Sequence, residues 1–525
     1  MARSALPWEG AGFKNEALRT FGFSSSDANE DIFNNRDILE GRSRQLYQNA
    51  PFAGAAVDTK IVNVVGTGVV AKPNVNAKRL GITQEQADEF CEHMKWLFAL
   101  WAASPDASDA TGMSNFYQMQ ELVLKTKAIC GDAFILRCWH KIATSAFGLC
   151  YKVLEGNRCR NPFGRSDSKF LKSGVELDGD GKHVAYNFTK DCEQMKYDVF
   201  GTYPTVRIPA YDQFGIKNVI QVITIDRPGQ HRGVSWLAPV IPLVKNKDRY
   251  ENSVLIQAIL ESMLTVFIKN TGSDAAPLWG GNIEGPERTT PDPTQPTEGQ
   301  ITSPSFGTPV APPTPAIELG PGNVVMLGQN QEAQVAQKNA PNSNYRDYMQ
   351  EVNMAIASRL GMSFEQVQKF WKGSYNAVRA AILESKKMFD LERERMIIGF
   401  CQPVYDAFLH ECVMMGYVKC PGYENPLKRM LWHECSWIGD APVMLDPLKE
   451  MSAYKMALDE QVTTREKVSL AVNGSDYYEN VNDLAREDEA RKAHGVQTPG
   501  AVNRSESVSM VANPNESEEE PENNE

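Results

Sequence analysis

Apolar residues recur every three or four positions over 83–103, where Phe90, Met94, Leu97 and Trp101 share one face, and this period predicts an amphipathic helix. Similar reasoning predicts a helix over 36–65, broken near Pro51 and stopped at Gly66. A third is expected from Ser114, as N-cap of "NFYQMQELVLKTKAICG", to Gly131. The pattern then shortens. "DAFILRCWH" (132–140), "FGLCYKVLE" (147–155), "HVAYNF" (183–188) and "VIQVITI" (219–225) are β-rich runs separated by turn residues. A long helix is expected over 237–270, with a charged first half and a second half that is apolar nearly all the way round. Such a helix must be covered on every face, by a deep core or by copies of itself. Helices resume at 343–360 and 376–416, and the segment 443–494 is amphipathic. Between the first two lies "GMSFEQVQKFWKGSYNA" (361–377), a loop with two glycines, four aromatics and two lysines.

The breaks between these elements define the organisation. Residues 271–322 hold eleven of the thirty prolines, a density that precludes helix or central strand, and "NVVMLG" (323–328) reads as a strand closing that insertion. Residues 1–35 show no clear period and are expected to form an extended arm. After Gly495 the chain turns polar and acidic, which predicts disorder.

Length and charge narrow the class. A chain of 525 residues suggests about three domains. Ten cysteines without a CxxC pair point to a reducing compartment rather than a disulfide scaffold. The N-terminus lacks an apolar signal core and no run has the length of a charge-free membrane span, so a soluble, cytosolic protein is expected. The net charge of −12 argues against a protein that wraps nucleic acid with a basic surface. Half of that charge sits in the last ten residues, "ESEEEPENNE", which have six Glu and no Lys or Arg.

Candidate chemistry is sparse. In "RPGQHRGVSWLAPVIPLV" (227–244) Gly229 and Gly233 are four apart and no Lys-Ser/Thr follows, so neither phosphate-loop pattern is met. A turn at Pro228-Gly229 leading into a helix, with Ser235 as its N-cap, accounts for the stretch. "ELDGDGK" (176–182) lacks the later ligands and closing Glu of a calcium loop and reads as a turn. His410, Cys412, Cys420, His433 and Cys435 carry zinc-ligand chemistry at spacings that match no zinc finger. His410 and Cys412 would also point about 200° apart on a helix. No GxSxG, HExxH or Walker pattern is present, so no catalytic residue, metal or cofactor is assigned.

The order of these features resembles the portal proteins of lambda-like tailed bacteriophages over residues 35–495. The similarity is carried by "RSRQLYQNAPFAGAAVDTKIVNVVGTG" (42–68), "GDAFILRCW" (131–139), "VLEGNRCRNP" (153–162), "GVELDGDGKHVAYNF" (174–188), "PGQHRGVSWLAPVI" (228–241), "GSYNAVRAAILESKKMF" (373–389) and 445–489. The resemblance implies an α+β portal fold with a mixed α/β wing, a helical stem, a small β-containing clip and an α-helical crown. It implies a ring, usually a dodecamer, at one capsid vertex. Double-stranded DNA driven by terminase would pass through it for packaging and ejection. Major capsid and scaffold proteins and the neck or head-completion proteins would be its other partners. Its place would be the virion, and the host cytoplasm during assembly, with no membrane.

On that frame 1–35 is an N-terminal arm, 36–236 the wing, 237–270 the stem helix and 271–342 the clip with its Pro-rich insertion. Residues 343–360 are a second stem helix, 361–378 the tunnel loop, 379–440 a long wing helix and its return, 441–495 the crown and 496–525 the acidic tail. Lys369, Trp371 and Lys372 would face DNA in the channel, and Val254, Ile256, Ile259, Leu260, Met263 and Phe267 would line the contact between subunits. Few channel lysines suit a duct through which DNA must slide, because strong phosphate contacts would act as a brake. A neck adaptor or scaffold without a ring, and less readily a metal-dependent enzyme built on the His/Cys set, are the alternatives.

Overall fold

The computed structural model describes residues 26–141, 145–190, 204–262, 266–270, 331–335, 345–371, 373–440 and 446–495. The chain divides into two units, 1–241 together with 354–525, and 242–353.

The larger unit begins with two helices, Ala28–Asn49 and Pro51–Val65, parted at Pro51 and closed at Gly66 as the sequence predicts. The expectation of an extended arm to residue 35 fails at its end. Asp27 is extended, and Glu30 and Asp31 favour the positive end of the helix dipole, so helix starts at Ala28. Residues 1–25 lie outside the described residues. Helix Gln84–Ala103 opens on a Thr83–Gln86 capping box. Helix Phe116–Cys130 opens on a second box in which Asn115, rather than Ser114, is the N-cap. Asn115 wins because Gln118, three residues on, can return the bond to its backbone.

Two antiparallel sheets follow. Strands β2 (Asp132–Trp139), β3 (Leu149–Glu155) and β8 (Val219–Ile223) form one, in the order β3-β2-β8. Strands β4 (Leu171–Lys172), β5 (Val175–Leu177), β6 (His183–Thr189) and β7 (Thr205–Pro209) form the other, in sequence order. Phe134, Leu154, Val175, Tyr186, Phe188 and Val219 pack into one core that joins the two sheets. The turn at 178–182 is tied by Asp178, whose carboxylate accepts the N–H groups of Asp180 and Lys182.

Helix Tyr375–Met396 runs through a π-turn, Ile397–Cys401, into helix Gln402–Met414. Pro403 explains the irregularity: it has no N–H to donate and its ring crowds the carbonyl one turn back. Phe400, Tyr405 and Phe408 from this region pack with Phe98, Trp101 and Phe116 in a buried aromatic cluster. Strands β1 (Val70–Pro73) and β11 (Cys435–Ile438) pair antiparallel, so this ladder is closed by residues from opposite ends of the unit.

The loop 227–236 is locked from several sides. Asn29 donates to the Gly229 carbonyl (2.8 Å) and accepts from the His231 N–H (2.9 Å), and Arg227 pairs with Asp31 at 2.7 Å. Arg232 is buried and bonds the Asp132 carboxylate (2.5 and 3.1 Å) and the carbonyls of Gly156 (2.7 Å), Cys159 (3.0 Å) and Ser173. Burial disfavours both charges, yet their mutual attraction prevails, holding the Asp132 carboxyl below and the Arg232 guanidinium above their ordinary values. Gly233 lies against Gly131 so closely that a Cβ on it would sit 1.9 Å from the Gly131 carbonyl oxygen. Ser235 stands just ahead of the helical turn Ala238–Val240, donating to the Ala128 carbonyl and accepting from the Leu237 N–H.

The smaller unit holds the apolar helix. The expected continuous helix over 237–270 is corrected: helix spans Ile241–Ser262, and Val266–Asn270 is strand β9, paired with β10 (Gln331–Val335). The run "TVFI" is β-branched and aromatic, and an available partner strand outweighs its apolar helical reading. The strand expected at 323–328 lies outside the described residues, as does the Pro-rich stretch 271–322. Helix Tyr345–Arg359 follows, and Tyr345 and Tyr348 place their rings 5.8 and 4.7 Å from that of Tyr250. The last three helices, Pro447–Asp459, Arg465–Asn473 and Tyr477–Ala493, belong to the larger unit and bury no residue of their own.

Replacing Asp132 by Asn leaves the Arg232 charge buried without its counter-ion. The expected loss is about 3–5 kcal/mol, read as a lower urea midpoint. Arg207→Gln, which breaks the exposed pair with Glu176 at 2.8 Å, is expected to cost about 1 kcal/mol or less. Equal effects of the two substitutions would refute the buried pair as a structural centre.

Candidate functional site

The segment 361–371 carries the residues that the sequence nominates for a channel, and its backbone is tightly specified. Helix Tyr345–Arg359 ends in a Schellman-type closure, with Gly361 at φ 76°, its N–H on the Ser358 carbonyl and that of Met362 on the Ala357 carbonyl. Two residues later Ser363 and Gln366 form a capping box, which starts the one-and-a-half-turn helix Phe364–Gln368. That helix ends at Lys369, which adopts the left-handed conformation, φ 55° and ψ 34°. The sequence predicts a loop over 361–377, and the structure holds a short helix within it. The signal for its helix, Ser-x-x-Gln before an apolar residue, is present at 363–366.

Two side chains dock this segment. Val367 is buried, and the Phe364 ring lies 6.4 Å from that of Phe52. Phe370 and Trp371 are 54% and 43% exposed. Lys369 and Trp371 instead line a cleft of about 510 Å³ together with Asp58, Thr59, Asn63 and Gln366. The helix Pro51–Val65 supplies the first three polar groups. Asp58 is already engaged by the Tyr47 hydroxyl (2.9 Å) and by Lys125 (3.6 Å). The cleft therefore mixes one carboxylate, one ammonium, neutral polar groups and an indole face. Lys372 lies outside the described residues.

The cleft rests on a buried electrostatic layer that sequence reasoning missed. Lys127 and Glu392 are ion-paired in the interior, and Arg395 meets the same carboxylate at 3.1 Å. Lys60 donates to the Leu360 carbonyl at 3.0 Å, and its ammonium stands 4.2 Å from the centre of the Trp236 ring. Burial, with Lys127 and two arginines nearby, pushes the Lys60 amine down to about 8 despite the Glu392 charge. No short motif announces this layer, because its members are up to several hundred residues apart.

The His/Cys set is dispersed. His433 Nδ1 meets Asp406 at 2.9 Å, its Nε2 meets the Tyr423 hydroxyl at 2.9 Å, and that hydroxyl lies 3.4 Å from His410 Nδ1. The two imidazoles thus face Tyr423 and not a shared ion. Among the described residues the one grouping with metal-ligand proximity is Glu40, Cys130 and Glu155. The Arg44 guanidinium fills it, 3.0 Å from each carboxylate and 3.8 Å from the thiol.

Of the nominated subunit-contact residues, Val254 is half-buried, while Ile256 and Ile259 are exposed on helix Ile241–Ser262. Leu260 belongs to that helix, Met263 lies outside the described residues, and Phe267 is in β9 opposite Gln334. Phe267 therefore leaves the helical face on which it was expected. Among the described residues no helix is long and apolar enough to cross a membrane.

Residues 14–393 match the family model described as phage portal protein, lambda family. Portal protein B of Escherichia phage lambda is 25% identical over 504 residues, covering 93% of this chain and 90% of its own. The portal protein of Escherichia phage N15 is 23% identical over 499 residues, covering 93% and 91%. Among solved structures, the neck of a native gene transfer agent particle computed with C12 symmetry aligns with a TM-score of 0.40 at 10% identity. It covers 76% of this chain and 98% of that one. The neck of an empty particle computed with C6 symmetry aligns at 0.42 and 10% identity, covering 83% and 93%.

The left-handed backbone at Lys369 makes a conformational prediction independent of any ligand. Lys369→Gly is expected to leave stability unchanged or raise it by up to about 1 kcal/mol, whereas Lys369→Val is expected to lose about 1–2 kcal/mol. Urea unfolding of the two variants checks the order, and a Val variant as stable as the Gly one would refute the assigned geometry.

Proposed function

The chain belongs to the lambda family of phage portal proteins, and from that premise we propose how its parts serve the head–tail connector role. The observation that carries the proposal is the family match over 14–393, which spans both sheets, the apolar helix and the segment 361–371. Copies of the chain form a closed ring, a dodecamer, at one vertex of the capsid. Double-stranded DNA moves through its channel under terminase, is retained there, and leaves through the same channel when neck and head-completion proteins have docked. Capsid and scaffold proteins hold the ring's rim, and assembly takes place in the host cytoplasm.

The larger unit supplies the wing, from 36–236 and 379–440, and the crown, 441–495. The smaller unit supplies stem and clip, which is supported by its separation as a body of its own, 242–353. Leu255 and Ile256, 58% and 57% exposed, give the stem helix apolar surface for a neighbouring copy. The segment 361–378 is the tunnel loop, with Lys369 and Trp371 turned to the channel and Lys372 next to them in sequence. Its contacts with DNA are weak and salt-screened, so the duplex slides.

Two experiments test this reading at separate points. Ile256→Asp is expected to abolish rings in negative-stain images while leaving the wing folded by circular dichroism, and normal rings would refute the stem contact. The Lys369→Glu/Lys372→Glu protein is expected to form normal rings but to reduce DNA per head at least several-fold in a packaging assay. Full-length packaging by such rings would rule out the lysines as DNA contacts.

A further inference from the structure

Two of the ten cysteines face each other across a strand pair. In the β2·β3 ladder Cys138 stands directly opposite Cys150. Directly opposed residues put their side chains on the same face of the sheet. The phase of the ladder is given by its ends. The His140 N–H donates to the Gly148 carbonyl at 2.8 Å, whereas the Arg137 N–H points the other way, to the Asn218 carbonyl at 2.9 Å. Even-numbered residues of β2 thus bond towards β3, which makes Cys138 and Cys150 a hydrogen-bonded pair. The Cα atoms of such a pair are about 5.5 Å apart. A disulfide spans roughly 4.4–6.8 Å between Cα atoms and about 3.5–4.5 Å between Cβ atoms, so the Cα spacing fits and the Cβ atoms need draw together by about 1 Å.

The surroundings make the two thiols unequal. Cys150 is buried at 2% exposure, while Cys138 is half-buried, its sulfur 3.8 Å from the Leu136 carbonyl. Both thiols are held above the ordinary range by burial, Cys150 at about 11. They are therefore slow to react where small thiols keep a reducing balance. The hairpin end beyond them is firmly seated. The Glu411 carboxylate accepts the N–H groups of Gly148 (2.8 Å) and Leu149 (3.3 Å), and the Phe147 ring lies 5.1 Å from Phe408. Neither strand can slip out of the 138–150 register without breaking those contacts.

We infer that Cys138 and Cys150 form a cross-strand disulfide when the assembled protein leaves a reducing cytosol and meets a small-molecule disulfide. The Cys138 thiolate, the accessible one, attacks one sulfur of the small disulfide, forming a mixed disulfide and expelling one small thiolate. The Cys150 thiolate then attacks the Cys138 sulfur, closing the protein bond and expelling the second small thiolate. The two protons of the protein thiols end on the two expelled thiols. The protein sulfurs are oxidised and the small disulfide is reduced, with electrons in balance. The product staples the root of the 138–150 hairpin, and it does so only after the chain has folded in its reduced form.

The test uses the purified full-length protein incubated with oxidised glutathione, then denatured, alkylated with iodoacetamide and digested without reductant. The expected result is a Cys138–Cys150 linked peptide, a fall from ten alkylatable thiols to eight, and recovery of all ten with dithiothreitol. Cys150→Ser protein is expected to retain glutathione on Cys138 as a stable mixed disulfide, which distinguishes the attacking from the closing sulfur. The wild-type linkage stands or falls without that variant. Alkylation of both cysteines after oxidation, linkage of either to another cysteine, or a mixed disulfide that persists in the wild type would each overturn the inference.

Discussion

The buried ion pair of Arg232 and Asp132 is the constraint on which the larger unit depends. A guanidinium removed from water needs its five donors matched, and Arg232 finds them in one carboxylate and three backbone carbonyls. Those carbonyls belong to the turn after β3 and to the approach to β5, while Asp132 opens β2. One side chain therefore fixes the mutual position of both sheets. Such a pair is weak as a source of stability, since a well-packed apolar replacement often does as well. Its value here is specificity: only one placement of the 227–236 loop satisfies every group at once. The Gly131–Gly233 backbone contact enforces that placement sterically, because no Cβ fits on either side.

From this centre the order extends toward the 361–371 segment through a second buried layer. Ser235 and Trp236 bond back to the Ala128 carbonyl, which sets the Trp236 ring beside Lys60 and Lys127. Lys127 is paired with Glu392 of helix Tyr375–Met396. Lys60, on helix Pro51–Val65, reaches the Leu360 carbonyl where the segment begins. Arg393 adds bonds to the carbonyls of Asn63 and Val64, at 3.0 and 2.7 Å. The walls and floor of the cleft that holds Lys369 and Trp371 are thus tied to the same framework as the sheets. A segment on such a base keeps a defined position while its exposed side chains, Lys369 and Trp371 among them, make no more than weak contacts.

What the sequence disclosed and what it hid divide along physical lines. Local signals were legible: the break at Pro51, the stop at Gly66, the β2 and β3 runs, and the helices that frame 361–371. Short strands such as β1, β7 and β11 were not, because four or five residues are too few to establish a period and gain their identity from their partner strands. β9 was missed for the same reason, its apolar run being compatible with helix until β10 is supplied. Arg232 looked like one charged residue in a turn, and only burial among three carbonyls reveals its role. Lys369 and Trp371 were named through a resemblance, while Asp58, Thr59 and Asn63, which complete their cleft, come from a helix some three hundred residues earlier.

The C-terminal helices show how far a single copy is from being self-sufficient. Helices Pro447–Asp459, Arg465–Asn473 and Tyr477–Ala493 bury none of their residues, yet they carry Leu448, Met456, Leu470 and Leu484 in exposed positions. Their links to the rest of the unit include ion pairs, Lys72 with Glu466 at 2.7 Å and with Asp476 at 3.0 Å, and Lys95 with Glu479. Partly exposed ion pairs contribute about 1 kcal/mol or less each, too little to order three helices against their conformational entropy. Helix Ile241–Ser262 has the same imbalance, with Leu255 and Ile256 exposed. Two regions far apart in the chain therefore share one unmet need, apolar surface from elsewhere. In the closed ring proposed above, neighbouring copies would supply it to both at once, since each copy would offer the next the surface that it lacks.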